Sequence, residues 1–244
     1  MAPTLIGDNY AKDLSKPPSL SGGFFVSKTH TFLLPEDTRV FRLVETTYDS
    51  ADYNFIAVVQ EISFHSQDFV EDQIDNLRDE GLSDEEIVER IMHLGMENED
   101  ENQVIARFAY DRFSFLDQTN QLQHGVQIRG AYVDPEKSGV GFAGQVYRQL
   151  VIIYGHLVCD NTQTEFGASL WAGTIRDVVG RVDIYDCAKQ AYLEELGDLS
   201  TGVRGCIPWD LSVTANHSNL TLSRWKNYPF SISGCRYLVL IVSA

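Results

Sequence analysis

One stretch limits the fold of this chain more than any other: a short apolar strand that runs into a glycine-rich turn and then a helix. Val126, Ile128, Ala131 and Val133 make the strand, and Asp134 to Ser138 a polar turn. Gly139, Gly141 and Gly144 open a helix whose apolar positions Val146, Leu150 and Ile153 recur at helical spacing. A glycine turn at a helix start points backbone N–H groups outward, with the positive end of the helix dipole behind them. That arrangement suits an anion, most often a phosphate. The run Gly139-Val140-Gly141-Phe142-Ala143-Gly144 also fits the GxGxxG pattern, and Asp160 falls about where a dinucleotide fold places its ribose-binding acid. Against a dinucleotide, polar residues separate the strand from the first glycine and no second βαβ half follows. A turn with a purely structural role is the third reading.

Composition narrows the class. The 244 residues are 43% hydrophobic and 11% aromatic, which suits one domain with a packed core or one domain with an insertion. No run of 18 apolar residues exists, so no transmembrane helix is expected. The first residues lack the apolar core of a secretory signal. Cys159, Cys187, Cys206 and Cys235 include no CxxC pair. They read as reduced thiols in a cytoplasmic protein. The six histidines show no metal-ligand spacing. A net charge of −16 argues against duplex nucleic acid as a partner.

In chain order, residues 1–23 are polar and rich in proline and glycine, and read as an N-terminal arm. Residues 24–244 read as one domain. Phe24 to Leu34, Val40 to Thr46 and Tyr53 to Phe64 are predicted strands, the last two a hairpin. At about 66–103 an acidic helical insertion interrupts them. Between Asp68 and Glu101 lie fourteen acidic residues against two arginines, so twelve of the sixteen net negative charges sit there. Gly81 separates two amphipathic helices, and Ser83 with Glu86 predicts a capping box for the second. Its charged side is either a solvated face or a docking surface for a basic partner. Strands follow at Val104 to Leu116 and Val126 to Val133, then the glycine turn and helix, then a strand at His156 to Cys159. Phe166 to Ile175 is predicted helical, Arg181 to Tyr185 a strand, Ala188 to Leu196 a short helix, and Arg236 to Val242 a terminal strand.

The segment Val133-Asp-Pro135-Glu136-Lys-Ser-Gly139-Val-Gly141-Phe-Ala143 resembles motif A of the GCN5-related N-acetyltransferases. That motif is a strand ending in V-x-P-E, then Q/R-x-x-G-x-G/A, then a helix. The likeness continues through Asp160 to Trp171 and the tail from Trp225, and is nearest to bacteriophage-encoded members. It covers roughly residues 104–244. It implies an α/β (α+β) fold with a mixed, mostly antiparallel central sheet flanked by helices, and acetyl-coenzyme A as cofactor. Its pyrophosphate would be cradled by backbone N–H groups of Ser138, Gly139, Val140, Gly141, Phe142, Ala143 and Gly144. Val133 would bond the pantetheine arm or polarise the thioester oxygen through its N–H. Two departures stand out: the motif's Gln/Arg is Ser138, and a tyrosine that protonates the leaving thiolate in many members is matched by Trp171. Lys137, Tyr185 and Tyr192 are the nearest substitutes.

Transfer to an amine needs a base. Asp160 is the first candidate, with an N-cap of the following helix as its structural alternative. Glu61, in the apolar run YNFIAVVQEISF, is the second, and His156 a third. The resemblance implies a small-molecule or protein amine as acceptor, and the sequence is compatible with an oligomer. The competing expectation is a non-catalytic phage protein of the same fold that acts by binding, in the virion or on a host target.

Overall fold

The computed structural model describes residues 4–6, 14–16, 23–35, 37–48, 53–137, 141–198, 200–211, 225, 230–231, 235 and 237–244. In chain order these form β1 (Thr4–Ile6), β2 (Phe24–Leu33), β3 (Val40–Tyr48), β4 (Phe55–Glu61), α1 (Gln67–Asp79), α2 (Asp84–His93), β5 (Gln103–Leu116), β6 (Leu122–Val133) and α3 (Phe142–Tyr154). Then come β7 (His156–Val158), β8 (Thr162–Thr164), α4 (Glu165–Ser169), a π-helical turn (Leu170–Thr174), α5 (Ile175–Val178), β9 (Val182–Asp186), β10 (Ala191–Glu195), β11 (Asp210–Leu211) and β12 (Leu238–Ser243). The class is mixed α+β with a large, mostly antiparallel sheet. No helix among the described residues is long and apolar enough to cross a membrane.

The chain divides into two compact units. One holds Met1–Asp13, Tyr110–Gly130 and Ser138–Ala244; the other holds Leu14–Ala109 and Ala131–Lys137. In the first, the strand order is β10-β9-β12-β7-β6-β5. β12 is antiparallel to both β9 and β7, whereas β6 and β7 run parallel. The helix α3 supplies the crossover between those parallel strands, which need a long connection. Val146, Leu150 and Val151 of α3 are buried, as are Leu240, Ile241 and Val242 of β12. Asp117 shapes the tight turn before β6. It accepts bonds from the N–H groups of Thr119 and Gln121 and from the side chains of Thr119 and Gln123.

A small parallel sheet, order β11-β1-β8, completes this unit. β1 comes from the segment expected to be an arm, and its backbone pairs Thr4 with both Thr162 and Asp210. Most of residues 7–22 lie outside the described residues. Ala188 to Leu196 corrects a helical expectation. Ala, Leu and Glu favour a helix locally, but Ala191–Glu195 pairs antiparallel with β9. Gln190 turns the chain with φ 51°, and the Glu194 carboxylate accepts from the N–H groups of Arg204 and Cys206. Tertiary pairing overrides a weak propensity.

In the second unit the order is β5-β4-β3-β2, with β2, β3 and β4 antiparallel. The acidic block forms α1 and α2. Ser83 caps α2 reciprocally with Glu86, as predicted. Val70, Ile74, Ile87, Val88 and Ile91 share a core with Leu33, Val40, Ile62 and Phe64, so the two helices roof the strands through their apolar faces. Arg42 on β3 makes a two-pronged pair with Glu97 (2.7 and 2.6 Å), and Asn102 adds a third bond at 2.7 Å. The guanidinium and the amide hold the Glu97 carboxyl below its ordinary range, against the opposing effect of burial. A depressed carboxylate stabilises the fold fully above its unfolded value of 4.5. That stabilisation is lost as pH falls through the lower folded value. Urea titrations should therefore show wild type losing more stability between pH 6 and pH 3 than Glu97→Gln does; parallel losses would remove this role.

Candidate functional site

The helix α3 starts where the sequence places it. Its N-cap is Gly141, at φ 83° and ψ 1°. Only glycine takes this left-handed conformation without strain. Among the described residues, a Cβ at this position would meet nothing within 4 Å. No side chain among the described residues caps the turn. The first helical bond runs from Gln145 N–H to Gly141 O at 3.2 Å. An α-helix start leaves earlier N–H donors for an outside partner. Phe142 is buried and anchors the turn. Ser138, Gly139 and Val140 lie outside the described residues.

Gly144 leaves little room for a side chain. A Cβ there would stand 3.0 Å from Thr174 Cγ2 and 3.7 Å from Val178 Cγ2. Its smallness serves close packing of α3 on the helical run that follows β8. Gly144→Ala should cost about 1–2 kcal/mol, and Thr174→Ser, which deletes the obstructing methyl, should recover much of it in a urea-denaturation cycle. Additive losses would show that the packing is not the reason for the glycine.

The parallel pairing of β6 and β7 is short. It comprises Val126↔Leu157 and Gln127↔Val158, although β6 continues beyond Gln127. Where the ladder stops, the buried Gln127 amide takes over. Its Nε2 donates to Cys159 O at 3.0 Å and to Asn161 Oδ1 at 3.3 Å. Carboxyl ends of parallel strands are where α/β folds place ligands. Asp160 lies in this turn, 5% exposed. It is not the N-cap of α4: Thr164 is, accepting from Gly167 N–H at 3.1 Å. Asp160 O accepts from Gln163 Nε2 at 3.0 Å. That bond fixes the amide's orientation and leaves the buried Gln163 Oε1 without a hydrogen-bond partner. The role of Gln127 was missed in the sequence, where it reads as one polar residue in an alternating strand.

Other candidates are engaged elsewhere. In the second unit Glu61 Oε2 meets Lys137 Nζ at 2.6 Å, and Oε1 lies 3.7 Å from Arg39 Nη1. Both oxygens of this carboxylate thus face cations, and Lys137 is committed to it. Val133 ends β6, and the next residue, Asp134, donates its N–H to Ile105 O at 2.8 Å. In the first unit Trp171 sits in the π-helical turn, 2% exposed, its ring 5.9 Å from that of Tyr147. Tyr185 accepts from Leu116 N–H at 3.1 Å and crosses Tyr192 at 5.2 Å. Burial raises both phenols, Tyr192 to about 12. His156 bonds Ser243 Oγ through Nδ1 at 2.8 Å, with the edge of Phe115 against its ring. Burial lowers its pKa. All three tyrosine and histidine side chains thus belong to one aromatic cluster around Phe115. Burial also pushes the four thiols up, and none forms a disulfide. Among the described residues no group of three or more His, Cys, Asp or Glu could hold a metal.

No protein-family model matches the chain, and neither curated proteins nor solved structures yield a match.

Proposed function

We propose that the chain is an acetyl-coenzyme A-dependent N-acyltransferase of the GCN5-related type. The glycine-capped start of α3 carries this reading. The space at Gly141 among the described residues and the absence of a described side-chain cap fit a pyrophosphate on the helix N-terminus. Gly141 and Ala143 are the small residues that let it approach, with Ser138, Gly139 and Val140 as the motif's remaining members. The coenzyme would supply an acetyl thioester. The chain's part is to orient it, to present an amine and to accept the amine's proton. Asp160 is the proposed base, held at the carboxyl end of the parallel pair. Glu61 recedes, because Lys137 and Arg39 hold both its oxygens. The protein would act in the cytoplasm, of a host cell if it is phage-encoded.

A second reading has its own support. Trp171 is buried at the place of the family's acid, and Tyr185 is already bonded to Leu116. Lys137 cannot both hold Glu61 and stand in for the missing charged contact at Ser138. On that reading the fold works by binding, in a virion or on a host protein. The acidic side of α1 and α2 would then meet a basic partner.

Calorimetry with acetyl-coenzyme A and Ala143→Asp tests the first reading. A carboxylate in the first turn favours the helix dipole by about 0.3–1 kcal/mol and repels a phosphate. The variant should therefore be as stable as wild type or more so, yet bind the coenzyme at least tenfold more weakly. Unchanged affinity would move the coenzyme away from α3, and no binding to wild type at millimolar coenzyme would end the transferase reading.

A further inference from the structure

The second unit contains a socket filled by the chain's own early residues. Leu14 is 5% exposed and packs with Ile56 (1%) and Ala109 (0%). Partly buried Tyr48, Tyr53, Val58 and Tyr132 surround this group. It forms a cluster of its own, apart from the larger one beneath α1 and α2. The backbone that leaves this leucine is read as well. Arg107 Nη1 donates to Leu14 O at 3.3 Å and to Ser15 O at 2.9 Å. A guanidinium pointed at two consecutive carbonyls, beside an aromatic-walled slot for one aliphatic side chain, is how a protein holds an extended peptide. Ser15 and Lys16, which follow, are exposed.

We propose that this socket is a peptide-binding site, occupied here in cis. Its ligand is an extended peptide with one aliphatic residue, whose side chain enters between the tyrosines while Arg107 takes its carbonyl and the next. The Leu14–Ser15 segment is the built-in competitor. The site requires no coenzyme and stands whether or not the chain is a transferase.

The test uses the full chain and a fluorescein-labelled peptide with the sequence of residues 9–19, followed by fluorescence anisotropy. Leu14→Asp should release the internal segment without touching the socket walls. This variant is expected to bind the peptide saturably, at least tenfold more tightly than wild type does. A second peptide with Asp in place of the leucine should not bind it. Adding Arg107→Gln to Leu14→Asp should weaken the peptide by tenfold or more. Circular dichroism checks that each variant is folded; if Leu14→Asp is not, Leu14→Ala gives the same comparison with smaller contrast. Equal binding by wild type and the folded Leu14 variant, no saturable binding by that variant, or indifference to Arg107 would each overturn the proposal.

Discussion

Gly125→Ala should be among the most damaging single-atom additions to this protein. A Cβ at Gly125 would lie 2.5 Å from the carbonyl oxygen of His156 and 2.7 Å from its Cβ. The first of these is backbone, so no rotamer change relieves it. The strands must part where Val126 pairs with Leu157, and that short ladder has only one further pair. Overpacking a rigid site costs about 3 kcal/mol, a large share of the roughly 5–15 kcal/mol that holds a typical fold. Gly167→Ala is the control. Its Cβ would make its nearest approach at 3.4 Å, to Thr164 Oγ1, an ordinary contact at the start of a helical run. Alanine there should be neutral or mildly stabilising. Urea denaturation of the two variants decides the matter. If both lose the same stability, β6 and β7 are not in the close register described.

The second large effect is expected at Ile74. Its side chain is fully buried between the acidic helices and the strands beneath them, among Leu33, Val40, Ile62, Ile87 and Ile91. Ile74→Ala removes three carbons from a packed core and should cost about 3–4 kcal/mol. Phe69, on the same helix but 45% exposed, should lose under about 1 kcal/mol when cut to alanine. The contrast separates two pictures of the acidic block. If it were a loosely attached appendage, Ile74→Ala would melt α1 and α2 and leave the rest of the unfolding curve in place. The shared core instead predicts that the curve for the whole second unit moves. Hydrogen exchange at β3 and β4 amides would report this directly, and unchanged protection there would favour the appendage.

The sequence made some of this readable and hid the rest for physical reasons. Ser83 and Glu86 announce a helix start because the capping box is local, needing only residues three apart. The strands β2 to β6 are long and alternate, so their existence follows from hydrophobic period alone. β1, β8 and β11 are two or three residues long, too short for any period to register. β10 carries helix-favouring Ala, Leu and Glu, and only its neighbour β9 makes it a strand. Within the candidate site, the glycine before α3 was legible because positive φ demands it. The division of labour among the glycines was not. Among the described residues nothing crowds Gly141, whereas Gly144 faces Thr174, a distinction set by a helical run some thirty residues further on. The same holds for Asp160: the choice between base and cap turns on Thr164, which takes the cap.

β12 has a consequence for the order in which this protein can be made. Its residues, Leu238 to Ser243, lie between β9 and β7 and pair with both. During synthesis β7 and β9 leave the ribosome long before the strand that joins them. Until then each shows an unpaired edge, the form of a strand most prone to stray pairing. A nascent chain of this kind cannot close its sheet one hairpin at a time. It must hold two open edges apart and seal them with a late segment, a non-local pairing of the kind that slows folding.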